Sequence, residues 1–385
     1  MKYDFNEILE RRNTCSSKWD SAPDGGMLPD DIIPMWVADM DFPCAPAITD
    51  AIHAAADRRT FGYSHFPDGY YETVAAFQQR RHGFRVEPDE ILYTQGVVSA
   101  LVYTVKATTE PGDAVIIQTP VYPPFYNAAG RDGRVMLENR LIEKDGCYSI
   151  NFEDLERLAS DPRAKVLLIC SPHNPVGRVW TAEELTKMQD ICLRHGLILL
   201  SDEIHYDLIR GGNVHHSVME LFPDADNVVC CTAPSKTFNI AGLGASHLFT
   251  HNSELLKKIA AVRGYVDCNP LTAAASMAAL SGACDGWADE LNAYLDKVFG
   301  RFYELMAENF PKAKVTKAEG TYLAWVDVRG YTEDTEALEK LLLEKCHVYI
   351  ESGDRFGGKG FLRVNLGCPL SYVEEAVRRI RELLN

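Results

Sequence analysis

From about residue 45 onward, short continuous apolar runs alternate with stretches whose apolar residues recur at helical spacing. The runs at 114–119, 165–170, 197–201 and 227–232 have strand length. Between them, residues 182–195 carry the helical pattern. Thr181 is placed to cap the first turn, and Glu184 three positions later completes a capping box. Short apolar strands alternating with helices predict a parallel sheet covered on both faces.

The pattern changes after about residue 284. A long helical stretch at 287–310 is followed by a strand-like run at 321–328 and a helix near 335–345. Two more strand-like runs, 347–351 and 360–365, precede a final helix from Ser371. This part reads as a smaller α+β domain. Residues 1–44 are irregular and Pro-rich, with an apolar stretch at 32–37. The expected organisation is an N-terminal segment, 1–44, that joins the small domain; a large domain, 45–284; and a small domain, 285–385.

Composition narrows the function classes. The 385 residues are 46% hydrophobic and 24% charged, which excludes disorder as the main state. With 39 Lys and Arg against 55 Asp and Glu, the net charge of −16 opposes binding to a phosphate backbone. Eleven cysteines, an odd number with no C-x-x-C pair, exclude a complete intrachain disulfide framework and argue against a zinc ribbon. No apolar run approaches the roughly 18 residues of a membrane span, and the first residues lack the apolar core of a secretory signal. The expectation is a reduced, cytoplasmic protein with no membrane, nucleic-acid or metal partner.

In open parallel sheets, ligands sit beyond the carboxyl ends of the strands. The polar residues after each apolar run are therefore the candidate site. They include Tyr122 after 114–118, Asn174 after 165–170, Asp202 after 197–200 and Lys236 after 227–231. A helix opening at Val97 and Val98 follows the run at 91–94. A Lys can form a Schiff base with an aldehyde. An Asp can keep a pyridine nitrogen protonated, an Asn can donate to a phenolate, and an aromatic ring can stack on a flat ring. A helix N-terminus offers free N–H groups to a phosphate. Together these groups describe a site for pyridoxal 5′-phosphate.

The sequence resembles the fold-type I pyridoxal-phosphate enzymes of the aspartate aminotransferase superfamily over essentially its whole length. More narrowly, it is similar to the PatB/MalY-type carbon–sulfur lyases, the cystathionine and cysteine-S-conjugate β-lyases. The runs that carry this likeness are MWVADMDF (35–42), FGYS (61–64), SPHNPVGRVW (171–180), SDEIHYDL (201–208), SKTFNIAGL (235–243) and FLRVNLGCP (361–369). The resemblance implies an aspartate aminotransferase-like α/β fold, a large domain with a mostly parallel sheet flanked by helices plus a smaller α+β domain. It also implies a homodimer with sites at the interface.

By the same resemblance, Lys236 is the Schiff-base lysine and proton shuttle, Asp202 pairs with the pyridine nitrogen and Asn174 meets the ring hydroxyl. Tyr122 stacks on the ring and borders the substrate. The N–H groups of Val97 and Val98, with Ser235, hold the phosphate, and Tyr63 reaches the phosphate in the partner subunit. Arg363 clamps the carboxylate of an amino-acid substrate. Read alone, an inward Arg363 needs an opposite charge, which a structural ion pair also supplies. Two positions depart from the aminotransferase pattern. Gly244 stands where many of those enzymes place a phosphate-binding Arg, and His205 where they place a Tyr. His205 either tunes the cofactor or is a satisfied buried histidine.

The activity implied is α,β-elimination of L-cystathionine or a related cysteine S-conjugate, with an aminotransferase as the alternative. A cofactor-sensing transcription regulator is a third reading, opposed by the charge and by the lack of a helix-turn-helix pattern. The run at 353–360 fits most of a phosphate-binding loop but ends in Gly360 where Ser or Thr is needed. It reads instead as a flexible Gly-rich loop and a candidate lid.

Overall fold

The computed structural model describes residues 2–22 and 25–384. Met1, Pro23, Asp24 and Asn385, which belong to the terminal segments of the expected organisation, lie outside the described residues. A seven-stranded sheet forms the centre. Its strands run in the order Ile91–Thr94, Ser246–Phe249, Val228–Thr232, Ile198–Asp202, Ala164–Cys170, Ala114–Thr119 and Val135–Arg140. Only Ser246–Phe249 runs antiparallel to its neighbours. The other six therefore present their carboxyl ends at one edge of the sheet.

The inner strands form where the chain is apolar on both sides of the pleat, whereas the edge strand Val135–Arg140 is polar over its second half and only partly buried. All six residues of Ala114–Thr119 and all five of Val228–Thr232 are buried. Cys230 and Cys231, adjacent in one strand, enter two different apolar clusters, as the alternation of a strand requires. The helix Ala182–His195 begins with the reciprocal capping box of Thr181 and Glu184 and ends at Gly196, in the left-handed region at φ 66°.

A five-stranded sheet runs in the order Ile33–Met35, Val348–Ser352, Phe361–Asn365, Leu323–Asp327 and Lys314–Val315. Ile33 to Met35 pair in parallel with Val348 to Ile350, so the N-terminal part adds a strand to a sheet otherwise built from the last third of the chain. The helices Asp285–Asn309, Thr335–Cys346 and Leu370–Leu384 line an apolar cavity of about 370 Å³ against this sheet, away from the strand ends of the larger one.

Residues 36–42 form a strap between the two sheets. The Asn239 amide donates to the carbonyls of Met40 and Phe42, both at 2.9 Å, from the turn after Lys236. Asn365 donates to the carbonyls of Val37 and Asp39 from the small sheet. A buried ion cluster fixes the same strap. Lys18 Nζ lies 2.6 Å from Asp41, whose other oxygen accepts from Trp19 Nε1 at 2.8 Å and from Arg11.

The Gly-rich run does not form the expected flexible lid. Gly353–Phe356 is a short 3₁₀ turn, and the Phe356 carbonyl accepts from Val121 N–H at 3.0 Å and Tyr126 O–H at 2.9 Å. The glycines serve close packing. A Cβ on Gly358 would stand 2.3 Å from the Trp325 ring, and one on Gly353 2.5 Å from the Gly358 carbonyl.

Candidate active site

The parallel arrangement brings the strand-end residues to one edge. Asp202 is the last residue of Ile198–Asp202 and is 4% exposed. Its carboxyl accepts the Ile204 N–H at 3.0 Å. Burial pushes its pKa up to about 7, the Ile204 hydrogen bond offsets part of this, and the neighbouring Glu203 adds to the rise. The charge of Lys236 pulls the other way but does not outweigh the burial.

Lys236 sits in the short helix Pro234–Thr237, directly after the strand Val228–Thr232. Its Nζ donates to the Ala38 carbonyl at 2.5 Å. Desolvation first, then the charge of Arg363, lower its pKa to about 8 against the pull of Asp39 and Asp202. Near pH 7 most of the amine still carries its proton, but the neutral fraction that a nucleophile or base needs is far larger than in an ordinary lysine.

Asn174 is buried after the strand Ala164–Cys170, and its carbonyl accepts the Tyr122 N–H at 3.1 Å. That bond seats Tyr122 beside it. Burial raises the Tyr122 pKa, with the charges of Arg363 and Asp202 also acting on it, so the phenol stays neutral. Arg363 projects from Phe361–Asn365, 3% exposed. Its Nη1 lies 3.5 Å from Asn174 Oδ1, and its guanidinium lies 4.5 Å from the Phe356 ring centroid. Nη2 donates to the Trp36 carbonyl at 2.7 Å and to Glu351 Oε2. Arg363 therefore has the structural ion pair that the sequence left open. Its Nε is buried without an acceptor among the described residues.

His205 is buried and its Nδ1 also lacks a partner among the described residues. Desolvation, then the charges of Lys236 and Arg363, lower its pKa to about 3, so the ring is neutral. The ring meets Tyr322 edge-on at 5.9 Å. His205 is thus not the satisfied buried histidine of the blander reading.

The helix Val97–Thr108 starts at Gly96, with φ 155°, and no side chain caps it. The N–H groups of Val97 and Val98 stand in its first turn, where no intrahelical acceptor exists. Ser235 is half-buried in the turn that carries Lys236. At Gly244 the backbone is left-handed, φ 63°, and a Cβ would lie 3.4 Å from the Gln95 carbonyl, so this turn is shaped for glycine. Tyr63 stands apart. Its side chain is 96% exposed, between the helices Pro46–Ala56 and Tyr70–His82.

Sequence reasoning assigned no role to Ala38, Tyr322, Asn365 or Glu351. The Ala38 carbonyl accepts from both Lys236 and Tyr322 O–H, the latter at 2.8 Å. Glu351 faces Arg363 because Val348–Ser352 and Phe361–Asn365 pair antiparallel with these two residues in register. The one available signal was two strand-like runs joined by a short Gly-rich link, which is a hairpin pattern.

Comparison with known proteins agrees with this architecture. The aminotransferase class I and II family profile matches residues 30–380. Cystathionine beta-lyase PatB of Bacillus subtilis is 41% identical, covering 99% of this chain and 100% of that one. Protein MalY of Escherichia coli is 31% identical over 97% of each chain. The crystal structure of cystalysin from Treponema denticola, which contains a pyridoxal 5′-phosphate cofactor, superposes with a TM-score of 0.94 at 37% identity, covering 100% of this chain and 99% of that one. With matches that span nearly the whole sequence and both sheets, the chain belongs to the aminotransferase class I and II family, in the company of PatB and MalY.

Proposed function

We propose that this protein is a pyridoxal-phosphate-dependent carbon–sulfur β-lyase acting on L-cystathionine or a related cysteine S-conjugate. With cystathionine and one water, the products are homocysteine, pyruvate and ammonia. The observation that carries the reading is the meeting of Lys236, its pKa lowered to about 8, with the buried Asp202 and Asn174 at the strand ends of the large sheet, and with Arg363 reaching them from the small sheet. The relatives named cystathionine beta-lyase and the cofactor-containing cystalysin support it.

The residues fit the cofactor. Asp202 offers a buried carboxylate whose raised pKa a ring N–H⁺ would bring down, and His205 offers an unpartnered ring nitrogen. The uncapped helix start at Val97 and Val98, with Ser235, suits a phosphate. Bound there, pyridoxal phosphate supplies an electron sink for the pair released from a substrate Cα–H bond. The chain's own groups do the rest. Asp202 would hold the proton on the ring nitrogen, Asn174 would offer its amide N–H to the ring oxygen and Tyr122 would cover the ring. Arg363 fixes the substrate carboxylate so that the Cα proton faces Lys236 Nζ. Lys236 takes that proton while the Cβ–S bond breaks, and the sulfur leaves as thiolate.

The reading extends to a homodimer in which Tyr63 reaches the partner subunit's phosphate. The exposed aromatics Phe61, Tyr63 and Tyr265 support such a contact. It also extends to a reduced, cytoplasmic setting, supported by eleven cysteines that all remain free. Among the described residues no helix is long and apolar enough to cross a membrane.

The test is turnover of L-cystathionine by the protein reconstituted with pyridoxal phosphate. Equal amounts of thiol and pyruvate, formed without any added 2-oxo acid, are expected. Turnover that requires a 2-oxo acid acceptor would make the protein an aminotransferase instead.

A further inference from the structure

The contacts of Arg363 leave it poorly placed to receive a carboxylate. A guanidinium grips a carboxylate with two parallel N–H donors, from either its Nη1–Nη2 end or its Nε–Nη2 side. Both edges need Nη2. Here Nη2 has two hydrogens and two acceptors, the Trp36 carbonyl at 2.7 Å and Glu351 Oε2. Nε is buried without an acceptor, and Nη1 has only the long 3.5 Å contact to Asn174. Two of the three nitrogens are thus underused, and the one required by either edge is occupied.

Glu351 has somewhere else to go. Its other oxygen, Oε1, lies 3.6 Å from Arg355 Nη1. Arg355 is held in place by Glu339 Oε1 at 2.8 Å, and its side chain is 39% exposed. Arg363, by contrast, is 4% exposed at the side chain. An anion arriving at Arg363 restores the charge balance there, and Glu351 keeps a cation by turning toward Arg355. The small sheet thus supplies one anion with two cationic partners.

We propose that Glu351 is an internal competitor for the substrate carboxylate, occupying Arg363 in the free enzyme and yielding it when an amino acid enters. The proposal rests on the carboxylate-binding role of Arg363 given above. Glu351 is a positioning residue in this scheme: it acts through Arg363 and sets how tightly a carboxylate is held. Removing its charge without changing its shape leaves Arg363 short of an anion, so ligand affinity rises. A merely structural role moves affinity the other way, because loss of the pair would let the Arg363 side chain wander.

The experiment titrates the holoenzyme with L-alanine, which has no Cβ leaving group, and follows the cofactor absorbance to obtain Kd. Glu351→Gln should lower Kd by about tenfold, the scale of a hydrogen bond to a charged group. The KM for L-cystathionine should fall with it. Glu351→Asp keeps the charge on a shorter arm and should fall between wild type and Gln. An unchanged or raised Kd in Glu351→Gln overturns the proposal. Arg363→Lys separates the two layers. If that variant binds L-alanine as wild type does, the carboxylate role of Arg363 itself fails. If it binds far more weakly while Glu351→Gln shows no gain, only the competitor role fails.

Discussion

At the scale of single residues, the site is a set of groups held away from their ordinary protonation behaviour by burial. Asp202 and Lys236 make this measurable. An acid whose pKa rises from about 3.9 in the unfolded chain to about 7 in the fold keeps its proton in the fold over that window. Its contribution favours folding at low pH and is lost as pH rises from about 4 through 7. Asp202→Asn removes this cost. The cofactor-free variant should therefore melt at or above the wild-type temperature at pH 8, while with pyridoxal phosphate bound the order should reverse. Thermal unfolding of both proteins in both states checks this, and a cofactor-free variant that melts lower would assign Asp202 a structural role. Lys236 behaves in the opposite sense. Its amine loses its proton as pH climbs through about 8, against about 10.4 for an ordinary lysine. The rate at which cofactor-free protein captures pyridoxal phosphate should therefore rise over that range, and Lys236→Ala should lose elimination activity altogether.

At the scale of elements, what the sequence made legible was whatever depends on local pattern. The strands at 114–119 and 228–232 are continuous apolar runs, and the capping box of Thr181 and Glu184 fixes one helix start. Lys236, Asp202 and Asn174 could be picked out because parallel strands put their carboxyl ends on one edge. Contacts between distant segments were not legible. Nothing near Ile33 signals that it pairs with Val348, or that the Ala38 carbonyl three positions past the strand end at Met35 accepts from Lys236. The Gly-rich run 353–360 shows the same limit. Glycine permits flexibility and close packing alike, and here the Trp325 ring decides for packing. Gly358→Ala should accordingly cost roughly 1–3 kcal/mol of stability through overpacking. Denaturant unfolding measures it. A freely moving lid would tolerate the methyl group.

At the scale of the whole molecule, an acidic chain of net charge −16 has to receive an anionic phosphate and an anionic amino acid. The attraction is local. On the reading proposed above, it comes from the helix start at Val97, from Lys236 and from Arg363, against an overall field of the wrong sign. If two copies share their sites, as the reading above holds, Tyr63→Ala and Lys236→Ala should each be impaired as pure proteins. After unfolding and refolding together, mixed dimers should recover activity, because one of their two sites then holds both an intact Lys236 and an intact Tyr63. Absence of recovery would place Tyr63 outside the partner's site.

The central claim is that the strand ends converge on Lys236 as the residue that carries the cofactor. Borohydride reduction of the holoprotein, followed by digestion and mass spectrometry of the peptides, tests it most directly. The account predicts one pyridoxyl group per chain, on Lys236 and no other lysine. A pyridoxyl group on a different lysine, or none on any, would contradict it.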